Sequence, residues 1–156
     1  MQNDTLNLQL LKEEWNLLEA SVSTLQRSVD KCRSISGKTT YSFEEEESFD
    51  SLTSKFGRTS DLFTQKIIRT IWILLHEPFV PFIDLTNKCE KMEIIHSSDS
   101  LIDIRDLRNQ IAHEYIPSAI HELIPEVLLL ADSLIQNIDI CRVFLLRRQW
   151  IEESKK

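Results

Sequence analysis

Residues 11 to 32 read LKEEWNLLEASVSTLQRSVDKC. Leu11, Trp15, Leu18, Val22, Leu25, Val29 and Cys32 recur at intervals of 4, 3, 4, 3, 4 and 3. That spacing keeps one apolar stripe on one face of a helix turning once every ~3.6 residues. It predicts a long helix from about Thr5 to Ser34, packed as the seam of a helical bundle.

The rest of the chain agrees with an all-α class. Only two glycines and four prolines occur in 156 residues, too few turn residues for a β-rich fold of this length. Residues 35–43, ISGKTTYSF, read as a loop, and Glu44 to Glu47 suit the first turn of a helix. Phe49, Leu52, Phe56, Phe63, Ile67, Ile71 and Leu74 carry a second long helix to about Leu75, with Gly57 admitting close packing or a bend. Arg58 and Asp61, three apart, read by default as an intrahelical ion pair, with a role beside the site as the lesser alternative. Pro78 and Pro81 break the pattern. A shorter helix is expected over 84–95 with Asp84 as its cap, then a helix from about Asp99 to His113 or Tyr115 that Pro117 ends. The last helix is expected from Pro125 to about Gln149, with 118–123 as a separate short turn. No repeat or linker interrupts the chain, so residues 1–156 are read as one domain, an up-and-down bundle of four main helices plus a short one.

No apolar run approaches the ~18 residues of a membrane span, and the N-terminus lacks a basic stretch followed by an apolar one. A cytoplasmic protein without membrane contact is expected. Cys32, Cys89 and Cys141 form no CxxC pair and read as reduced core fillers. The net charge of −7 argues against broad, charge-driven nucleic-acid binding but leaves room for a small basic cleft. No HExxH, carboxylate cluster, Cys/His set or glycine-rich phosphate loop is present, so neither metal nor cofactor is expected.

Residues 108–115, RNQIAHEY, stand out. On a helical wheel Ile104, Leu107 and Ile111 face the core, with Tyr115 beside them as an aromatic edge of that core. Arg108 falls on the rim of the apolar arc, where its charge needs an answer, for instance a glutamate of the first two helices. Arg105, Asp106, Asn109 and His113 occupy the polar side. Arg108 and His113 diverge by roughly 140° on one ideal helix. They converge if the helix frays, if the long arginine closes the gap, or if a two-fold dimer packs this helix on itself. Taken singly, His113 reads as a helix-terminal cap, as do His76, His96 and His121 near other helix ends. Taken together, the residue types fit metal-free RNA cleavage. Histidine exchanges protons near neutral pH, and arginine's fork suits phosphate oxygens.

RNQIAHEY resembles the signature of the HEPN superfamily, an arginine followed by a polar residue and then a histidine. Its fuller form, arginine, four residues, histidine, one residue, tyrosine, is that of the HepT-like toxins, met here by Arg108, His113 and Tyr115 with Asn109 as the polar follower. The preceding IRDLR is similar too. The likeness covers about ten residues in motif and the whole chain in helix order. It implies a dimeric helical bundle acting as a metal-independent endoribonuclease toxin of a type II/VII-like toxin–antitoxin pair, leaving 2′,3′-cyclic phosphate ends. Arg108 and His113 would be catalytic, with Asn109 and Arg105 in support and Arg105 and Arg108 doubled into a local positive cleft. A minimal nucleotidyltransferase antitoxin would neutralise the toxin by adding AMP to Tyr115. Arg142, Arg147 and Arg148 add a basic run that reads as a solvated helix face. Given the acidic body, weak RNA capture and a narrow substrate range, such as tRNA, are expected. The alternative is a non-catalytic helical subunit that binds a nucleotide or a nucleotidyltransferase.

Overall fold

The computed structural model describes residues 2–153. Helix α1 (Gln2–Arg33) carries the quoted stripe, and Leu11, Trp15, Leu18, Leu25, Val29 and Cys32 are all buried on it. Helix α2 (Phe43–Asp61) starts from a reciprocal cap. Ser42 Oγ accepts from the Glu45 N–H, and the Glu45 carboxylate accepts from the Ser42 N–H. The hydrogen bond from Lys38, and then the Ser42 N–H, hold the Glu45 carboxyl below its ordinary range.

The chain continues without a break through a π-helical segment (Leu62–Ile67) into α3 (Ile68–Leu74). The apolar spacing explains the wider turn. Phe63, Ile67 and Ile71 lie four apart and drift off a 3.6-residue stripe; a π turn takes up the drift and keeps all three fully buried.

Helix α4 (Phe82–Lys91), α5 (Ser98–Ala112) and α6 (Pro117–Arg147) complete an all-helical architecture, with no strand among the described residues. Helix α1 lies against α2, α3 and α6, and α5 is held among α2, α4 and α6. Their inward faces merge into one apolar cluster. No helix among the described residues is long and apolar enough to cross a membrane.

Three boundaries differ from expectation. Helix α4 begins two residues before Asp84, at a cap made by Pro81, and Asp84 lies in its first turn. It ends at Lys91 because Glu93 takes the left-handed conformation (φ 60) and the Ile94 N–H returns to Cys89 O. Helix α6 begins at Pro117 and passes straight through Pro125, so 118–123 is helix and not a separate turn. Proline removes one backbone hydrogen bond there. Packing of the preceding turns compensates: His121 lies edge-on to Tyr41 at 5.5 Å and beside Phe49 at 5.7 Å.

Asn137, buried on α6, fixes where α5 starts. Its Oδ1 accepts from the backbone N–H groups of His96 and Ser97, and its Nδ2 donates to Ser100 Oγ and Ser133 O. Ser97 then caps α5 by accepting from the Ser100 N–H. All three cysteines are buried and unpaired, and burial pushes the Cys89 thiol up to about 12.

Candidate functional site

Arg108 sits in the last two turns of α5, whose inward residues Leu101, Ile104 and Leu107 bury against the core. That anchoring aims Arg108 at the C-terminal end of α2. The answering charge is Asp61, an aspartate of the second helix in place of the glutamate expected. Arg108 Nε donates to both Asp61 oxygens at 3.2 Å, and Nη2 donates to Oδ2 at 2.8 Å. The expected Arg58–Asp61 pair within the helix is replaced by this one. Arg58 instead reaches Ser54 Oγ, at 3.4 Å.

Gly57 makes the approach feasible. It lies one turn before Asp61 on the same face, and a Cβ built there would stand 3.1 Å from both Cδ and Nε of Arg108. The glycine therefore accommodates the arginine stem; the irregular turn comes five residues later, in the π segment. Substituting Gly57 by alanine tests this. At an ordinary helical site the change stabilises by about 0.5–1 kcal/mol. Here the methyl pushes on a stem pinned by Asp61, so we expect the gain to vanish in the wild type and to return in an Arg108→Ala background. A urea-unfolding double-mutant cycle with coupling above about 0.5 kcal/mol is the expected reading, and additivity would contradict it.

Asp61 engages one edge of the guanidinium, and the Arg108 side chain as a whole stays 29% exposed. Arginine carries five N–H donors. Nε and one Nη2 donor are engaged, and Nη1 has no hydrogen-bond partner among the described residues. Arg108 borders an open cleft of about 360 Å³ that Ser54, Gly57, Arg58, Asp61 and Ile111 also line, among others. A planar fork braced on one side and open on the other suits an incoming phosphate oxygen.

His113 is the C-cap of α5, its backbone N–H shared between Asn109 O and Gln110 O, and its side chain is exposed. Asn109, one turn earlier, is exposed as well. The Glu114 carboxylate accepts from the backbone N–H groups of Tyr115 and Ile116 and so ties down the short connection to α6. Tyr115 is 87% exposed, which corrects its reading as an aromatic edge of the core. Beyond α5 the chain leaves helical geometry at His113, so the wheel no longer predicts where residue 115 points. Among the described residues no hydrogen bond joins Arg108 to His113 or Tyr115.

Arg105 does not line the cleft. Its guanidinium lies 4.3 Å from the Phe82 ring centroid on α4. Arg58 takes the place beside Arg108 that was expected of Arg105. The C-terminal arginines are also less free than a solvated face implies. Arg142 is bound by Glu19 and Asp139, and Arg148 stacks over Phe144 and Trp150. Burial disfavours the Arg142 charge, but its hydrogen bonds to the Glu19 and Asp139 carboxylates outweigh it and raise its pKa. Among the described residues, no three His, Cys, Asp or Glu side chains gather as metal ligands would.

Gly57, Arg58 and Asp61 are the neighbours of Arg108, which for Arg58 and Asp61 is the lesser of the two readings of FGRTSDLF. Their signal was present in FGRTSD: one of only two glycines in the chain, four residues before an aspartate. Comparison with protein-family models, with curated proteins and with solved structures returns no match for this chain.

Proposed function

We propose that this chain is a metal-independent endoribonuclease of the HepT-like toxin type. One observation carries the reading. The arginine of the R-x4-H-x-Y pattern is braced by Asp61 with Nη1 unbonded among the described residues, while the histidine and tyrosine of the same pattern stand exposed at the helix end. Arg108 would hold the scissile phosphate and the charge that grows on it. His113 would move the proton between the ribose 2′-OH and the leaving oxygen, two copies sharing the acid and base roles where a homodimer brings them together. Asp61 is a positioning residue in this scheme. Asn109, one turn before His113, would orient the imidazole or donate to the phosphate.

Tyr115 is the proposed point of control. Its exposure makes the phenol available to a nucleotidyltransferase partner, and an added AMP would place negative charge near Arg108 and His113, repelling RNA. Expression without that partner is expected to arrest growth, and His113→Ala is expected to relieve the arrest at equal protein level. Full toxicity of His113→Ala would remove histidine from the mechanism. After incubation with the partner and ATP, intact mass is expected to rise in steps of AMP and to stay unchanged in Tyr115→Phe.

A second reading is supported by the same ion pair. With Arg108 already paired and no hydrogen bond to His113 among the described residues, the cleft would serve as a nucleotide or nucleotidyltransferase docking site in a non-catalytic subunit. RNA cleavage by unmodified, partner-free protein separates the two.

A further inference from the structure

A second groove adjoins the Arg108 cleft and shares Arg58 and Asp61 with it. It runs between α1 and the rod formed by α2 and the π segment, encloses about 500 Å³, and is floored by Leu17, Ala20 and Leu62. Leu17 is 63% exposed. The wall carries Lys55, Arg58 and Lys66. Lys55 reaches Ser28 Oγ at 3.2 Å and Arg58 reaches Ser54 Oγ, but none of the three pairs with a carboxylate among the described residues. Asp61 is the carboxylate on the same lining and is held by Arg108, so in a chain of net charge −7 this groove gathers three cations against one already-paired anion.

We infer that this groove binds the phosphate backbone of a single RNA strand flanking the phosphate held at Arg108. The inference rests on the ribonuclease reading for its choice of RNA. At ~1.5 Å per residue the three cations span about 16 Å of helix axis, enough for several consecutive phosphates, and Arg58 links the two clefts. The apolar floor accepts ribose and base faces, with Ser21, Thr24 and Gln65 beside it on the same lining. No aromatic side chain lines the groove, so the binding is mainly electrostatic and tolerant of sequence.

The test separates binding from cleavage. A 2′-O-methyl oligonucleotide of about ten nucleotides lacks the attacking hydroxyl and reports binding alone. Its affinity is followed by fluorescence anisotropy across a salt series, for wild type, R58A/K66A and the conservative R58K/K66R. Both residues are exposed, and far-UV circular dichroism checks that helix content is kept. Each lost phosphate contact lowers the slope of log affinity against log salt by about 0.7, so R58A/K66A is expected to lose about 1.4, equivalent to about tenfold weaker binding near 0.15 M salt. R58K/K66R keeps the wild-type slope. An unchanged slope in R58A/K66A overturns the assignment, as does binding of polyglutamate in preference to the oligonucleotide. Cleavage of unmodified RNA is measured in parallel. Slope loss without any cleavage leaves the groove standing and discards the catalytic reading; cleavage with an unchanged slope does the reverse.

Discussion

Phe56→Ala is expected to destabilise the protein by about 3–5 kcal/mol, the range for deleting a fully buried phenylalanine when the surroundings relax only in part. Phe56 has no exposed surface and sits on the inward face of α2, between Leu52 and the π segment. The residue after it, Gly57, supports Arg108 on another side of the same helix, so collapse around the cavity would also disturb the ion pair with Asp61. For a chain of this length each kcal/mol moves Tm by roughly 2–4 °C, which puts the shift at roughly 6–20 °C. Phe43, 75% exposed in the first turn of the same helix, is the control; Phe43→Ala should stay within about 0.5 kcal/mol. Equal effects of the two changes would mean that the α2 face is assigned wrongly.

Arg108→Ala is expected to slow single-turnover RNA cleavage by about 10²–10³-fold, the usual effect of removing one donor aimed at developing oxyanion charge. Stability should respond far less than activity. The Arg108–Asp61 pair is 29% and 33% exposed at its two side chains, so its loss falls between the ~0.2–1 kcal/mol of an exposed pair and the ~3–5 kcal/mol of breaking a buried one. Asp61→Asn gives the complementary result. It keeps an acceptor for Arg108 but removes the charge that fixes the fork, so cleavage should fall less than with Arg108→Ala and show the loss mainly in kcat. Variants with undiminished cleavage would place phosphate binding elsewhere.

The fold was largely legible because its main signal is periodic. The α1 stripe and the α5 face, Ile104 and Leu107 above all, bury as their spacing requires. Helix ends were the weak point, for a physical reason. With only two glycines, the chain ends three helices on His76, Glu93 and Gln149 in left-handed geometry, φ 58–60, where a glycine would have marked the stop. Pro125 misled in the opposite direction, since tertiary packing of His121 holds a helix that the local rule would break.

The candidate site's residues were legible in the sequence, but the ion-pair partner of Arg108 was not. Arg108, Asn109, His113 and Tyr115 stand out by spacing, and the need for a counter-charge on Arg108 follows from its place on the apolar rim. Which carboxylate answers is a long-range fact, since Asp61 is 47 residues away. Nor does spacing reveal that Arg105 stacks on Phe82 and leaves its expected place to Arg58.

The most direct test of the central claim is chemical. Purified protein, freed of any partner and confirmed by mass to be unmodified at Tyr115, is incubated with RNA in EDTA, and the new 3′ ends are analysed. We predict discrete cuts ending in 2′,3′-cyclic phosphate, strongly reduced in His113→Ala. Intact RNA after prolonged incubation, or cuts of equal yield in His113→Ala, would contradict the account.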